Sequence, residues 1–235
     1  LAANIITVFL IFNILSVLFF TYYIQKKGQT EAIQYARKST LEVINEKSEL
    51  ISLAFEHIRS QTESLGMYME DILNEKVGKN LSDEYVLTAD GTISRKKDPK
   101  KTNRQQSNII VPSTSPLSEE LIREINLTEK LDKYFEQVSE TEDTTWCYIV
   151  TKENLLRCSP YSNLNDFFTS DHSQISDIFY TQASDKNNPE HQAIWTAPYY
   201  DYLGTGWTMT CSQPVYEDNG ELFGVICLDM SVSKI

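Results

Sequence analysis

Two carboxylates and a group of tyrosines in the last third of the chain have the side chains best suited to chemistry. Asp201 follows Tyr199 by two positions, and Asp229 lies in an apolar stretch near the C-terminus. On adjacent strands, two carboxylates with Tyr hydroxyls and an aromatic wall are suited to hold a cationic or amine-bearing ligand. Asp229 has an alternative role, because it could instead accept a hydrogen bond from a backbone amide near a strand end.

Paired carboxylates also suit acid–base catalysis, which gives a second interpretation of the same residues. A hydrolase could use Asp201 and Asp229 as acid and base, provided that one of them has a raised pKa. We rank this below ligand binding and expect no catalytic residues in this segment. The three histidines are far apart and no cysteine pair has CxxC spacing, so we expect no metal site and no cofactor.

All four cysteines follow the point where strand-like patterns begin. They are Cys147, Cys158, Cys211 and Cys227. We expect small, buried side chains on strands. Each consecutive pair flanks a possible hairpin, however, and could form a disulfide if this part lies outside the cytosol.

The charge balance argues against a nucleic-acid partner. The chain has 33 acidic and 21 basic residues, a formal charge of −12, whereas phosphate neutralisation needs a surplus of Lys and Arg. A basic run at 95–104 lacks interleaved aromatic residues, and we interpret it as a solvated loop.

The first 24 residues are apolar enough to cross a membrane. Residues 1–24 contain no charge, proline or glycine. At about 1.5 Å per residue, a helix of this length crosses roughly 30 Å of hydrocarbon. Tyr22 and Tyr23 suit the interface, where aromatic belts form. We expect a transmembrane helix at 1–24 in a cell-membrane protein, single-pass as given, with a cytoplasmic segment before it and residues 25–235 extracytoplasmic.

A long stalk helix is expected over residues 25–78. Apolar residues recur there in steps of three, four and seven, which is typical of one helix face with heptad character. They are Leu41, Ile44, Ile51, Phe55, Ile58, Leu65, Met69 and Ile72. We expect the half nearer the membrane to form a homodimer with a second copy, and the far half to pack on its own domain.

Residues 79–235 have the pattern of an α+β domain with one curved antiparallel sheet. A helix is expected from Ser115-Pro116 to about Val138. Strands are expected at 84–88, 108–111, 146–151, 155–159, 194–200, 207–214 and 222–231, with a hairpin turn at Glu217–Gly220.

The last 42 residues carry a recognisable pattern. The stretch IWTAPYYDYLGTGWTMTCSQPVYEDNGELFGVICLDMSVSKI, with Trp195-Thr196, Pro198-Tyr199, Asp201, Thr210, Pro214-Val215-Tyr216, Gly220, Gly224-Val225 and Asp229, resembles the Cache family of extracytoplasmic sensor domains. The earlier stretch at 144–160 is similar to the hairpin that precedes the ligand pocket in that family. The resemblance implies a PAS-like sheet whose concave face holds a small ligand. It also implies that a membrane-proximal module, a second span and an output domain follow residue 235, unless the protein is of the single-Cache type.

The resemblance implies a set of ligand-binding residues. In amino-acid-binding Cache domains, the positions that resemble Tyr180, Tyr199, Asp201 and Asp229 contact the ligand's amino end. The ligand carboxylate is held by an Arg two residues before a Trp-Tyr pair; here Phe179-Tyr180 replaces that pair and Asp177 replaces the Arg. An acid cannot form the required bidentate bond, which puts an α-amino acid ligand in doubt. Arg157 is a possible substitute if it points inward, and is otherwise a surface strand residue. Tyr148 and Trp195 complete the predicted site, although Trp195 and Trp207 also suit a core.

Taken together, these features predict the extracytoplasmic ligand-sensing domain of a membrane-bound signalling protein. Its output would be a histidine kinase, a diguanylate cyclase, a PP2C-type phosphatase or a chemoreceptor, and nothing in the sequence selects one of them. The alternatives are a ligand-free adhesion or assembly module and, less favoured, the membrane-anchored hydrolase. The assembly alternative predicts a pocket filled by the protein's own side chains.

Overall fold

The computed structural model describes residues 2–141 and 143–234. Leu1, the first residue of the predicted transmembrane helix, and Ile235, the last residue of the predicted sensor domain, lie outside the described residues. The chain divides into two compact units, Leu1–Leu53 and Ala54–Ile235. Helix α1, Ala2–Ile72, contributes to both. It contains no proline, which explains why a helix of 71 residues is not interrupted.

The first unit presents its apolar side chains to the surroundings. The large side chains from Phe9 to Ile24 that the structure describes are exposed, and so are Leu41 and Ile44 further along. Within the described residues, α1 is the one helix long and apolar enough to cross a membrane, as judged by length and composition. Exposed apolar surface on this scale needs a lipid or protein partner.

The second unit is built on one antiparallel sheet of nine strands. The strands are β1 Tyr85–Leu87, β2 Ile93–Arg95, β3 Asn108–Val111, β4 Trp146–Thr151, β5 Leu156–Ser159, β6 Ile194–Trp195, β7 Tyr199–Tyr200, β8 Trp207–Tyr216 and β9 Leu222–Ser231. Their order is β1-β2-β3-β5-β4-β9-β8-β6, and β7 also pairs with β8. The α+β class predicted from the sequence is confirmed.

The central hairpin β8–β9 is closed by the expected turn. Gly220 has φ +83°, a conformation that suits glycine, and its N–H donates to the Glu217 carbonyl at 2.8 Å. The neighbouring strand β4 then pairs with β9 along its whole length, from Trp146 opposite Asp229 to Thr151 opposite Gly224. This register decides which side chains share a face.

One face of the sheet is covered by helices. The remaining α-helices are α2 Glu119–Thr128 and α3 Asp132–Ser139, and α4 Ile178–Thr181, which packs on the opposite face. Ile58, Leu65 and Met69 of α1 are buried against strand residues such as Ile149 and Leu228. These helix residues are separated by seven and four positions, so the predicted stripe faces the core in this half of α1.

The opposite face carries a second core made by loops. Val150, Leu156 and Val225 pack there against Leu164 and Phe168 from the segment that connects β5 to β6. Because side chains alternate along a strand, Tyr148, Cys158 and Cys227 point to this face, while their immediate neighbours point to the helices.

Three expected elements differ from the structure. The predicted strand 194–200 is two short strands, because Pro198 lacks an N–H for the ladder. The helix expected to run to Val138 is interrupted by a 3-10 turn at Glu129–Leu131. The basic run at 95–104 was expected to be solvated throughout, but its first residue, Arg95, lies on β2 and is buried.

Candidate functional site

A small cavity lies between the loop-covered face of the sheet and the loops themselves. Its volume is about 20 Å³, room for about one water molecule. The lining residues are Tyr148, Leu156, Cys158, Phe168, Gln174, Phe179, Tyr199, Asp201, Tyr202, Leu203 and Asp229. Five of the eight residues predicted from the sequence are among them: Tyr148, Phe179, Tyr199, Asp201 and Asp229.

Asp229 is the more deeply buried of the two acids that line this cavity. Its Oδ1 atom accepts hydrogen bonds from the Tyr148 hydroxyl at 3.0 Å and from the Thr210 hydroxyl at 2.7 Å. Thr210 lies directly opposite Asp229 in the β8–β9 pair, and its hydroxyl is also 2.6 Å from that of Tyr199. Neither bond uses Oδ2, so this oxygen is the one available to a ligand.

The environment of Asp229 favours its protonated form. Burial raises the pKa of this carboxyl to about 8, and the charge of Asp201 acts in the same direction, while the hydrogen bonds from Thr210 and Tyr148 oppose the shift. A buried carboxylate without a cation is costly. A cationic ligand group would restore the charged form of the acid.

Asp201 organises a turn as well as lining the cavity. Its Oδ1 atom accepts from the Leu203 N–H at 2.9 Å, and Oδ2 accepts from the Thr205 N–H at 3.1 Å and from the Thr205 hydroxyl. The Trp146 indole also donates to Oδ2 at 3.1 Å. The turn depends on Gly204 and Gly206, whose φ angles are +82° and +93°.

Aromatic rings form the remaining walls. Tyr148 and Phe179 meet edge to face, with ring centroids 5.2 Å apart. Phe168 and Tyr202 lie 5.9 Å apart, and His172 contacts both rings. Burial raises the pKa values of Tyr148 and Tyr199, so both hydroxyls keep their protons and can donate.

Asp177, at the position where the resemblance predicts an Arg in amino-acid-binding domains, is paired with a histidine. Its Oδ2 atom lies 2.9 Å from His172 Nε2. Burial raises the pKa of Asp177, and the contact with His172 opposes that shift. Asp177 does not line the cavity. Its partner His172, however, contacts the ring of Tyr202, which does line the cavity.

Three of the predicted site residues lie elsewhere. Tyr180 packs beside the loop-side core but does not line the cavity. Trp195 packs on the helix-covered face, edge to face with Phe55 at 4.6 Å. Arg157, the proposed holder of a ligand carboxylate, pairs with Ile149 on that same face, because strand alternation places it opposite to Cys158.

Arg157 is neither a cavity residue nor a surface residue. It is fully buried, and its guanidinium donates to the hydroxyls of Thr128, Ser107 and Tyr85 at 2.9–3.0 Å and to the Ile125 carbonyl at 2.9 Å. These contacts join β5 to α2 and to the first strands. The side chain therefore has a structural role on the far side of the sheet.

All four cysteines are free and buried. Burial raises the pKa of each thiol. Cys158 and Cys227 lie on either side of Tyr148 in the sheet register, so the ring separates them. The expectation of small buried strand residues agrees with this arrangement.

Sequence reasoning missed three residues of the site: Gln174, which lines the cavity, and Trp146 and Thr210, which donate to its two acids. Gln174 lies in a 3-10 turn, Gln174–Ser176, within a long connection. Trp146 and Thr210 share one row with Asp229 across three strands, which only the register reveals. Thr210 belongs to the quoted pattern of resemblance, but no role in the site was predicted for it.

Comparison with known proteins assigns the family. The family model for the methyl-accepting chemotaxis protein-like, first PDC sensor domain matches residues 117–235, just over half of the chain. The chain belongs to this family. Its matched region includes every residue that lines the cavity, so the cavity is part of a PDC sensor domain. The resemblance to Cache-type sensors is confirmed.

Solved structures of chemoreceptor domains show a looser likeness to this PDC domain. The ligand-binding domain of the Campylobacter jejuni chemoreceptor Tlp3 with L-valine is 17% identical, with 79% of this chain and 57% of that chain covered and a TM-score of 0.44. The ligand-binding domain of the Pseudomonas aeruginosa amino acid chemoreceptor PctC with GABA is 22% identical, with 39% and 40% covered and a TM-score of 0.32. The chain thus spans about half of these domains. No curated protein sequence matches it.

Proposed function

We propose that this chain is the ligand-binding sensor module of a membrane-anchored signalling receptor, and that its cavity recognises a small molecule through a protonated amino group. The observation that carries the proposal is Asp229: a buried carboxyl whose Oδ2 atom is unused, at a cavity lined by Tyr148 and Tyr199. An ammonium group donates to such an oxygen in a short, charge-assisted hydrogen bond. Aromatic faces add further attraction for a cation.

Acid–base catalysis fits the same geometry less well. The pKa of Asp229, raised by burial to about 8, would suit a general acid. The second carboxylate, however, is committed to the turn that it caps, because Asp201 accepts from Leu203, Thr205 and Trp146. A base held by this many donors is a poor acceptor for a substrate proton.

Ligand entry requires the cavity to open. About 20 Å³ is far below the several hundred cubic ångströms of a typical ligand pocket. Three of the lining residues, Phe168, Tyr202 and Leu203, belong to connections between strands, which are the parts of a fold that move most readily. We infer that these loops separate from the sheet when a ligand enters.

A ligand-free assembly module is the second candidate, and the small volume is the observation that favours it. The assembly hypothesis predicts a cavity that the protein's own side chains fill. The amide of Gln174, buried without a hydrogen-bond partner among the described residues, favours sensing, because a cavity that is never occupied gains nothing from unsatisfied polar groups.

We further propose that residues 1–24 cross the membrane, that residues 25–235 are extracytoplasmic, and that α1 relays the signal in a homodimer. Two contacts support a route from the cavity to α1. Cys211, next to Thr210 on β8, is buried in the core that α1 shares, and the Tyr216 N–H reaches Glu70 at 3.3 Å. A ligand that favours one position of β8 would thereby bias α1. The output remains one of the four classes named from the sequence.

The test is a binding series on the full chain in lipid nanodiscs. Ethylamine, ethanolamine, 1,4-diaminobutane, glycine and acetate would be titrated, with calorimetry and Trp fluorescence as readouts. We expect saturable binding of the three simple amines, weaker binding of glycine because its carboxylate meets no cation, and no binding of acetate. Asp229→Asn should weaken amine binding at least tenfold, because it removes the charge partner but keeps the shape.

Asp171→Asn is the matched control, since Asp171 is an exposed acid in the loop that covers the same face. It should bind amines as the unmodified chain does. If no amine binds, or if both variants lose the same amount of amine affinity, the amine-sensing proposal is overturned and the assembly module is favoured.

A further inference from the structure

Gln174 is the least satisfied polar side chain of the cavity. It is fully buried and lines the cavity, yet neither Oε1 nor Nε2 has a hydrogen-bond partner among the described residues. Its backbone is fixed, because the Asp177 N–H donates to its carbonyl at 3.1 Å and the next residue, Ile175, donates to Asn154 at 3.3 Å. The turn thus holds an amide at the cavity wall with both of its polar ends unmatched.

A buried amide without partners is costly, so such groups usually serve a ligand or an ordered water. The cavity can hold about one water molecule. One water can satisfy part of the amide in the empty protein, and a ligand that replaces it must offer at least equivalent hydrogen bonds.

The charge of the wall restricts what that ligand group can be. The cavity lining contains two acids, Asp201 and Asp229, and no Lys or Arg. Arg157 is on the other face of the sheet, and the one histidine close to the wall, His172, is engaged with Asp177. A carboxylate on the ligand would therefore enter an acidic cavity with no cation to receive it.

A neutral group with one donor and one acceptor meets the amide fully. A primary carboxamide accepts from Gln174 Nε2 and donates to Oε1 in the same plane. A carboxylate can accept from Nε2 only, and its second oxygen would then face Oε1, acceptor against acceptor. The difference is large, because a site built for paired hydrogen bonds rejects analogues that leave one unpaired.

We propose that Gln174 determines specificity, and that the ligand is a small amine carrying a neutral carboxamide-type group in place of a carboxylate. This rests on the proposed function, in which Asp229 receives the amine. Asp229 then binds the charged amino group of the ligand, and Gln174 binds the neutral group at the other end of the ligand.

The test compares three probes that differ at one end only: 3-aminopropanamide, 3-aminopropanoate and propylamine. Each would be titrated calorimetrically into the full chain in nanodiscs. We expect the carboxamide to bind at least tenfold more tightly than the carboxylate. Gln174→Met, which keeps the length but removes both polar atoms, should lower carboxamide affinity at least tenfold and change propylamine affinity less than threefold.

Gln174→Glu is the second variant, because it keeps the size but replaces the amide donor with a second acceptor and a negative charge. It should strengthen the preference for the carboxamide over the carboxylate, because it still accepts from the carboxamide N–H but repels a ligand carboxylate. Equal binding of carboxamide and carboxylate to the unmodified chain, or an unchanged ratio in both variants, would overturn the role of Gln174 while leaving amine sensing intact. If propylamine and the carboxamide both fail to bind, the amine-sensing proposal fails, and this inference fails with it.

Discussion

Tyr199 and Asp229 converge on one hydroxyl, that of Thr210, which lies 2.6 Å from the Tyr199 hydroxyl and donates to Asp229 at 2.7 Å. Tyr199 belongs to β7 and Asp229 to β9, and β8 lies between them with Thr210 at the centre. A change in the charge of Asp229 therefore alters hydrogen bonds on three strands. For this reason we expect an amine bound at Asp229 to change the structure of the sheet as well as that of the cavity.

Amine binding should depend on pH through Asp229. Because its pKa is raised to about 8, the carboxyl is protonated at lower pH, and a cationic ligand must release that proton to bind. Primary amines keep their charge up to about pH 10. We expect the affinity for ethylamine to rise by roughly tenfold per pH unit between pH 6 and 8, as the release of one proton requires, and to level off above pH 8.

The matched measurement uses Asp229→Asn. Its residual affinity should be low and nearly independent of pH, since no proton is exchanged at this position. Calorimetry in two buffers of different ionisation enthalpy would detect the released proton directly at pH 7. A flat profile in the unmodified chain would show that Asp229 does not receive the amine.

The elements that could be predicted from the sequence are those with local signals. Strands β4 and β9 have the predicted bounds, because nearly continuous apolar runs and a turn with Gly220 mark them. Strand β2 was missed, since Ile93–Arg95 is short and is fixed by distant pairing with β3. The interruption of the helix at Glu129–Leu131 likewise depends on packing rather than on a proline or glycine.

The site was predictable where motif and register agree. Tyr199, Asp201 and Asp229 belong to the quoted pattern of resemblance, and all three line the cavity. Arg157 shows the limit: moving by one residue along a strand changes the face, and the sequence does not give the register. Gln174 has no local signal, because what marks it is the absence of a partner in three dimensions.

Glu124 should make the fold less stable as pH rises. It is fully buried in α2, and burial raises its pKa to about 8; the hydroxyl of Thr151 opposes this shift, and the charges of Glu153 and Glu120 add to it. Between pH 4.5, where the unfolded chain titrates, and pH 8, the folded protein keeps a proton that the unfolded chain releases. Stability therefore falls with rising pH, by about 1.4 kcal/mol per pH unit for each such proton.

Glu124→Gln removes this titration. We expect a higher melting temperature than that of the unmodified chain at pH 8 and a difference near zero at pH 4, measured by circular dichroism. Glu140→Gln, an exposed acid after α3, should shift the melting temperature little at either pH. A Glu124→Gln variant that is equally or less stable at pH 8 would contradict the buried, protonated carboxyl.

Gly224 allows β4 and β9 to approach closely. A Cβ at this position would lie 2.5 Å from the Val150 carbonyl oxygen and 3.0 Å from the Thr151 Cα, both backbone atoms that cannot turn aside. Gly224→Ala should lower the free energy of unfolding by about 1–3 kcal/mol or more, as overpacking does. Gly28→Ala is the control, because a Cβ there meets nothing within 4 Å and should leave melting of the sheet unit unchanged. Similar melting curves for both variants would disprove the close contact.

Arg157 should separate stability from ligand recognition. Its guanidinium donates to groups on α2, on β1 and just before β3, so Arg157→Met leaves buried acceptors unpaired and should cost about 3–5 kcal/mol of unfolding free energy. Amine affinity of the protein that remains folded should change less than twofold, because the side chain lies on the opposite face from Asp229. Arg157→Lys keeps the charge but cannot reproduce the fork of contacts, and should be destabilising as well. If instead ligand affinity falls while the denaturation midpoint is unchanged, the guanidinium reaches the ligand, and the face assigned to it by the register is wrong.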